Sequence, residues 1–340
     1  MSATERHIHN KRHVHRRIQA LCDASEEALE SAAGAAYAHD AHLFGFHPVD
    51  ERSGAAEIAD ALWRPLRAAL PDLQRRVSIL IAGVSDDRDL VAVMGHFQGT
   101  FTEPLFDIPP THGVVHVRYG EVHRLTNGTI STTYMIADML DLMRQAGCYP
   151  LAPSLGAEGR WPGPATQDGV RLDVVDPHGG AESLRLVRQM HTGLLKFDGK
   201  RLESMDHEQF WTPDFLWYGP SGIGTTRGLR GFQAHHQIPF LRAFPDRRVE
   251  HHFGQVGDGN YAVTGGWPSV VATHAGPGFL AMPPTGKRVG MRVMDFYRTE
   301  GGLIAENWVP IDMIDLLSQL GVDVFERVRH LQGRPMLTLE

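Results

Sequence analysis

The sequence predicts an α+β protein of two tandem cone-shaped domains, each a curved antiparallel sheet wrapped around N-terminal helices. Three observations predict it. The chain matches itself when residue 109 is laid on residue 283, helical periodicity precedes strand alternation within a copy, and a Pro/Gly-rich stretch separates the copies. Between 109–147 and 283–321, fourteen of 39 positions are identical without a gap. Composition alone would give about two or three. Upstream in the same register, Asp40, Gly45, Gly54, Pro65, Ala69, Pro71 and Asp72 fall on Asp214, Gly219, Gly228, Pro239, Ala243, Pro245 and Asp246.

The second copy shows the order of elements. Leu184, Val187, Met190 and Leu194 repeat at helical spacing over 182–197, and Asp198-Gly199 stops that helix. A short helix is expected over 200–210, an aromatic strand over 215–219, and a third helix over 228–244, bent or broken at Pro239. Four strands follow, at 247–255, 260–273, 287–299 and 303–309, with hairpin turns at Gly257-Asp258-Gly259 and Glu300-Gly301-Gly302. Asp312 caps a closing helix that ends at Gly321. The expected boundaries are 1–149 for the first domain, with a degenerate pocket, 150–181 for a linker partly packed on the surface, 182–330 for the second domain, with the better-equipped pocket, and 331–340 for a tail.

Composition excludes several classes. At 340 residues, 42% apolar and 21% charged, the chain has material for more than one core. A net charge of −7 argues against nucleic acid as a partner. No apolar run reaches a membrane span, and the charged N-terminus lacks the apolar core of a secretory signal. The two cysteines, Cys22 and Cys148, form no CxxC, so a reducing cytoplasm is expected and Asn127-Gly128-Thr129 reads as a hairpin turn, not a glycan site. Twenty histidines are many, and several are paired: His7/His9, His13/His15, His235/His236 and His251/His252. With no HExxH or comparable spacing, no metal is expected, and the N-terminal group reads as exposed or frayed. The loop GPSGIGTTRG is no dinucleotide fingerprint, and no P-loop or nucleophile elbow is present.

The run PPTGKRV, a strand ending in DFYR, a Gly-Gly hairpin, ENW, and then Asp with LLSQLG resemble the C-terminal half of SnoaL-like domains of the nuclear-transport-factor-2-like fold. These include polyketide cyclases and so-called ester cyclases. The resemblance covers nearly all of 185–325 and, more weakly, 25–148. It implies a small-molecule pocket, no cofactor, and a pocket aspartate as acid and base in an intramolecular aldol closure. Lignin-fragment lyases similar in fold run the reverse kind of chemistry, releasing formaldehyde from a diaryl substrate. The fold also hosts isomerases, hydrolases, dehydratases and binders, so it fixes no reaction.

Asp295 is the first candidate catalytic residue, alone in the apolar and aromatic strand MRVMDFYR; facing a pocket, it would be desolvated and its pKa would rise. Its structural alternative is pairing with Arg292 or Arg298. Glu121 is its first-copy counterpart, either a second active site or a relic. His236 and His235 lie on one helix, and one is expected at the pocket, to orient a substrate oxygen or relay a proton; a structural hydrogen bond explains either equally well. Asn307 suits an enolate oxygen, and alternation puts Glu306 on the opposite face. Trp217, Tyr218, Trp267, Tyr297 and Trp308 form a candidate aromatic wall, against the reading of ordinary core packing. Their first-copy matches include Leu43 for Trp217, Phe44 for Tyr218, Tyr134 for Trp308 and, across a gap, Phe97 for Trp267. One of His251 and His252 can reach the pocket, with His252 taken as the substrate-binding candidate, while His274 carries no assigned role. Arg292 recurs as Arg118 and Asp312 as Asp138, which favours structural roles for both. Three functions stay open: an aldol or retro-aldol enzyme on an apolar aromatic substrate, a binding protein for an aromatic metabolite, and an assembly role. The last would be a homo-oligomer or an intrachain pseudo-dimer packed through the outer sheet faces.

Overall fold

The computed structural model describes residues 2–250 and 252–333. The first half runs α1 (Ala3–Asp23), α2 (Leu29–Ala36), β1 (Tyr37–Gly45), β2 (Glu51–Ser53), α3 (Ala55–Ile58), a π turn (Ala59–Trp63), α4 (Arg64–Ala69), β3 (Gln74–Ser85), β4 (Arg88–Thr100), β5 (Val114–Thr126), β6 (Thr129–Ala137) and α5 (Met139–Gln145). The second half runs α6 (Pro177–Leu194), two 3-10 turns within 202–209, β7 (Trp211–Tyr218), β8 (Thr226–Arg227), α7 (Gly228–Phe232), a π turn (Gln233–Gln237), α8 (Ile238–Ala243), β9 (Arg248–Val249), β10 (His252–Asp258), β11 (Tyr261–Thr273), β12 (Arg288–Glu300), β13 (Leu303–Trp308), α9 (Met313–Leu320) and α10 (Val324–Leu331). The duplication holds for most elements, with α2 matched by the two 3-10 turns, β3 by β9 and β10 together, and α10 without a counterpart among the described residues.

Three expectations need correction. The N-terminal histidines are not on a frayed segment: they belong to α1, whose start Ser2 and Glu5 close as a capping box. That helix buries Val14, Ile18 and Leu21, with His7 and Lys11 also buried, and Lys11 Nζ lies 2.9 Å from Asp258 in the second half. Each sheet is mixed, because β1 pairs parallel with β6 and β7 parallel with β13. The strand after the helices returns beside the last strand of the meander, and the intervening chain is long enough for a parallel crossover. The second half starts at Asp176, the N-cap of α6, before the expected boundary. The segment ahead of it is mostly exposed and touches the sheets at separate points, as a linker partly packed on the surface would: Leu80 N donates to Gly169 O (2.9 Å) and Trp308 Nε1 to Pro162 O (2.8 Å). The expected tail lies outside the described residues beyond 333.

The sheets have strand orders β2-β1-β6-β5-β4-β3 and β10-β11-β12-β13-β7-β8, with β9 beside β11. Two-residue turns set the register. Asn127 and Gly128 (φ 52° and 77°) join the pair Thr126–Thr129, and Gly301 and Gly302 (φ 58° and 80°) join Glu300–Leu303. Each sheet turns one face to its own helices and packs the other against its twin. That shared layer includes Ile81, Tyr134, Val256, Phe253, Phe296 and Trp308, with Tyr134 stacked on Phe253 at 3.8 Å. Equivalent contacts are exchanged across it: Asp138 Oδ2 accepts from Ser221 N (2.8 Å), and its repeat partner Asp312 accepts from His47 N (3.0 Å). His47 falls on Ser221 in the same repeat register. The halves are therefore a pseudo-twofold pair within one chain.

Candidate active site

Helix α6, the bent helix of α7 and α8, and the concave face of the second sheet enclose a cavity of about 480 Å³. Met291, Val293, Asp295 and Tyr297 alternate along β12 so that all four line it. Asn307 on β13 pairs with Tyr297 on one side and Trp217 of β7 on the other, so these three side chains share the same level of the wall. The π turn sets His236 against Trp217, with ring centroids 4.2 Å apart. Pro239 stands at the start of α8, where the helix resumes after that turn.

Asp295 meets no arginine. Arg298 pairs with Glu306 (2.5 Å) and Glu300 (2.9 Å) on the other face, and Arg292 with Asp312 (3.0 Å) and Asp315 (3.5 Å). Burial raises the Asp295 carboxyl to about 7, opposed by hydrogen bonds from Asn307 and Tyr297. Part of its surface faces the cavity, but the protein around it is dense enough for desolvation to dominate. Tyr297 is buried among these groups and raised well above its ordinary value by burial and by the Asp295 charge. Its hydroxyl also shares a 3.0 Å hydrogen bond with His191 Nε2. His191 stacks on His252 (5.8 Å, 5° between planes), and burial, helped by His252, lowers it to about 4. Both histidines line the cavity, and Asp295, Tyr297 and His191 form a connected series.

Of the expected site residues, Asp295, His236, Asn307, Trp217, His252 and Tyr297 line this one cavity. Four do not, and those assignments are corrected. Tyr218 and Trp308 are buried on the opposite face, stacked on each other at 5.1 Å, where the Tyr218 hydroxyl donates to Glu306 Oε1 (3.0 Å). Trp267 also faces the first half, beneath the Arg292 guanidinium (4.9 Å) and edge-on to Phe44. It sits in a bulge: Gly266 pairs with Val293 and Val270 with Met291, leaving 267–269 unpaired in that ladder. The true match of Phe97 is accordingly Val270, since Phe97 pairs with Val117, the repeat partner of Met291. His235 is exposed and borders a separate hollow of about 120 Å³. His251 lies outside the described residues, and His274 is buried away from the cavity beside Thr285.

Residues missed in the sequence are His191, His207 and Trp211 on the cavity wall. His191 had a signal, one turn from both Val187 and Leu194 on the apolar stripe of its helix. His207 had none.

The first half has no such space around Glu121. Arg75 stands where the second half has Val249, since Arg75 pairs with Phe97 and Val249 with Val270. Its guanidinium lies 2.5 Å from the Glu121 carboxylate and over the Tyr119 ring, which stacks on Phe97 at 4.4 Å. His123 closes the cluster at 3.3 Å from Glu121 and 2.9 Å from Thr133. Burial alone would raise Glu121, but Arg75 and His123 outweigh it and hold the group below its ordinary value. An ion pair and two aromatic rings fill the volume that Val249, Val270 and Val293 leave open.

Among the described residues, no three His, Cys, Asp or Glu side chains gather as a metal site, and no helix is long and apolar enough to cross a membrane. The family model for SnoaL-like polyketide cyclase matches twice, over residues 13–146 and 194–320. Solved structures similar to parts of the chain include AclR, a proposed hydroxylase from Streptomyces galilaeus. It is 26% identical, with a TM-score of 0.33, over 42% of this chain and 85% of that one. A proposed SnoaL-like polyketide cyclase from Jannaschia sp. CCS1 is 18% identical, with a TM-score of 0.36, over 42% and 94%. A proposed polyketide cyclase, IdmH, from Streptomyces antibioticus is 20% identical, with a TM-score of 0.33, over 39% and 97%. No curated relative matches the chain.

Proposed function

The chain belongs to the SnoaL-like polyketide cyclase family, and from that premise we propose that its second half is an acid–base cyclase whose first half is a structural partner. The observation that carries this reading is Asp295, a carboxylate raised to about 7 in an aromatic cavity with no cation paired to it. Such a group is half ionised at neutral pH, the best compromise for a base that must also return its proton. The reaction supported best is an intramolecular aldol closure on an apolar, polyketide-like aromatic molecule.

Ionised Asp295 takes the proton from a carbon beside a substrate carbonyl. The electrons of that C–H bond form the enolate, while the Asn307 amide, which donates to the Phe296 carbonyl oxygen (3.1 Å) and hydrogen-bonds Asp295, holds that carboxylate in place. The enolate carbon attacks a second carbonyl of the same molecule, and the C–C bond forms. The protonated Asp295 then gives its proton to the new alkoxide, so no proton is gained or lost overall. Tyr297 donates to the ionised Asp295 and accepts from His191, which burial keeps neutral, so His191 acts as a positioning residue for that phenol. The same groups serve a retro-aldol cleavage, the reverse of these steps.

Enolisation can be followed without the native substrate, by NMR detection of α-proton exchange from an aromatic β-keto ester in D₂O. Wild type is expected to catalyse exchange, and Asp295→Asn to slow it by roughly 10²–10⁴-fold while still binding the ester. Undiminished exchange in Asp295→Asn contradicts the assignment. Retention of an aromatic ligand by wild type and Asp295→Ala alike, with exchange by neither, would instead make the second half a binding domain.

A further inference from the structure

Away from Asp295 the cavity has a second polar region that the proposed chemistry leaves unused. His207 is 3% exposed and Trp211 5% exposed, and both line the cavity. Both ring nitrogens of His207 and the indole N–H of Trp211 are buried without a hydrogen-bond partner in the protein. His236 Nδ1, between this region and Trp217, is in the same condition. A buried polar group left unpaired loses its hydration without replacing it, which destabilises the fold. Several on one wall of an open cavity mark a place where something other than the protein completes them.

The register places this region. Trp211 pairs with Ile304 and Trp217 with Asn307, three residues further along β13. At about 3.3 Å per residue, the two levels are about 10 Å apart. The wall between them is aromatic: Phe232 lies 6.0 Å from Trp211 and 5.5 Å from Trp217, and His207 is nearly parallel to Phe232 at 6.1 Å. The guanidinium of Arg188 and the carboxyl of Asp295 also line the cavity, and neither is part of this polar region. His207 and His236 are themselves uncharged there, lowered by burial to about 4 and about 3. A neutral imidazole offers one N–H and one lone pair, and the indole one N–H. Together they can accept from and donate to a single hydroxyl, or donate to a carbonyl, but they cannot neutralise an anion.

We propose that His207, Trp211 and His236 form a recognition subsite for an uncharged oxygen group, a hydroxyl or ring carbonyl, carried on a planar fused-ring ligand whose other end lies at Asp295. This rests on the reading that the cavity holds the substrate, but not on Asp295 being the base. A carboxylate at that end would be desolvated without a counter-charge.

The test is titration of the full chain with 2-naphthol, naphthalene and 2-naphthoate at pH 7.5, read by tryptophan fluorescence. The expected order is 2-naphthol tightest, naphthalene about tenfold weaker, and 2-naphthoate weaker still. His207→Phe and Trp211→Phe should each weaken 2-naphthol about tenfold and leave naphthalene unchanged. Asp295→Asn should leave the order intact, so failure of the catalytic reading shows separately, as unaltered β-keto ester exchange in that variant. Equal binding of 2-naphthol and naphthalene, tighter binding of 2-naphthoate, or no loss in either Phe variant overturns the subsite. If His207→Phe does not fold, His207→Gln, which keeps a donor and an acceptor, must retain the preference for 2-naphthol.

Discussion

At position 295 the protein faces an aspartate into an aromatic cavity, and ionising it there costs stability. Its proton is held more tightly in the folded state, at about 7, than in an unfolded chain near 3.8. The resulting stabilisation is complete below pH 4 and is lost as pH rises through 7. Asp295→Asn removes that dependence. The variant should be more stable than wild type at pH 8, by at most about 4 kcal/mol, and the gain should shrink at pH 5. Urea denaturation at the two pH values checks this; an equal gain at both would mean that the group does not titrate near neutrality. Asp295 was legible in the sequence because a lone carboxylate in an apolar strand is conspicuous. The aromatic wall was only half legible. Alternation separates Trp217 from Tyr218 and Asn307 from Trp308, as it does Asn307 from Glu306, but both faces of these strands are buried, so burial patterning cannot say which one meets the cavity.

Helix positions were read correctly wherever an apolar stripe or a cap marked them, as with Asp312 before α9. The N-terminal helix was missed because its polar and histidine-rich surface masked a stripe at Val14, Ile18 and Leu21. The repeat itself contained the signal, since Ala3 falls on Pro177, the first residue of α6. The second-half helix is held close to its sheet by two glycines, Gly180 on α6 and Gly257 on β10. A Cβ at Gly257 would sit 2.0 Å from the Gly180 carbonyl oxygen, so the backbones must separate to admit one. Gly257→Ala is expected to lower stability by about 1–3 kcal/mol and to loosen the α6 wall that carries His191. Thermal denaturation reads the first effect; an unchanged melting temperature would mean that α6 is not seated on β10 as described.

Across the whole molecule, the two halves share an architecture and differ in how the space beside the repeat-matched carboxylates Glu121 and Asp295 is filled. The two sheets bury one face against each other, and Asp138 and Asp312 reach across in equivalent ways, so each half completes its twin. Arg75, Phe97 and Tyr119 fill in the first half the space that Val249, Val270 and Val293 leave open in the second. The repeat was legible from residue identities, whereas the filling was not, because Arg75 reads as an ordinary strand-edge charge until its pairing places it inside. The central claim, that one carboxylate became reactive and its repeat partner inert, can be tested in a single experiment. In a ¹³C NMR titration of side-chain carboxyls, assigned with Asp295→Asn and Glu121→Gln, Asp295 should titrate at about 7 and Glu121 below the ordinary glutamate value of 4.5. Ordinary midpoints for both, or a raised Glu121 beside a normal Asp295, would contradict the account.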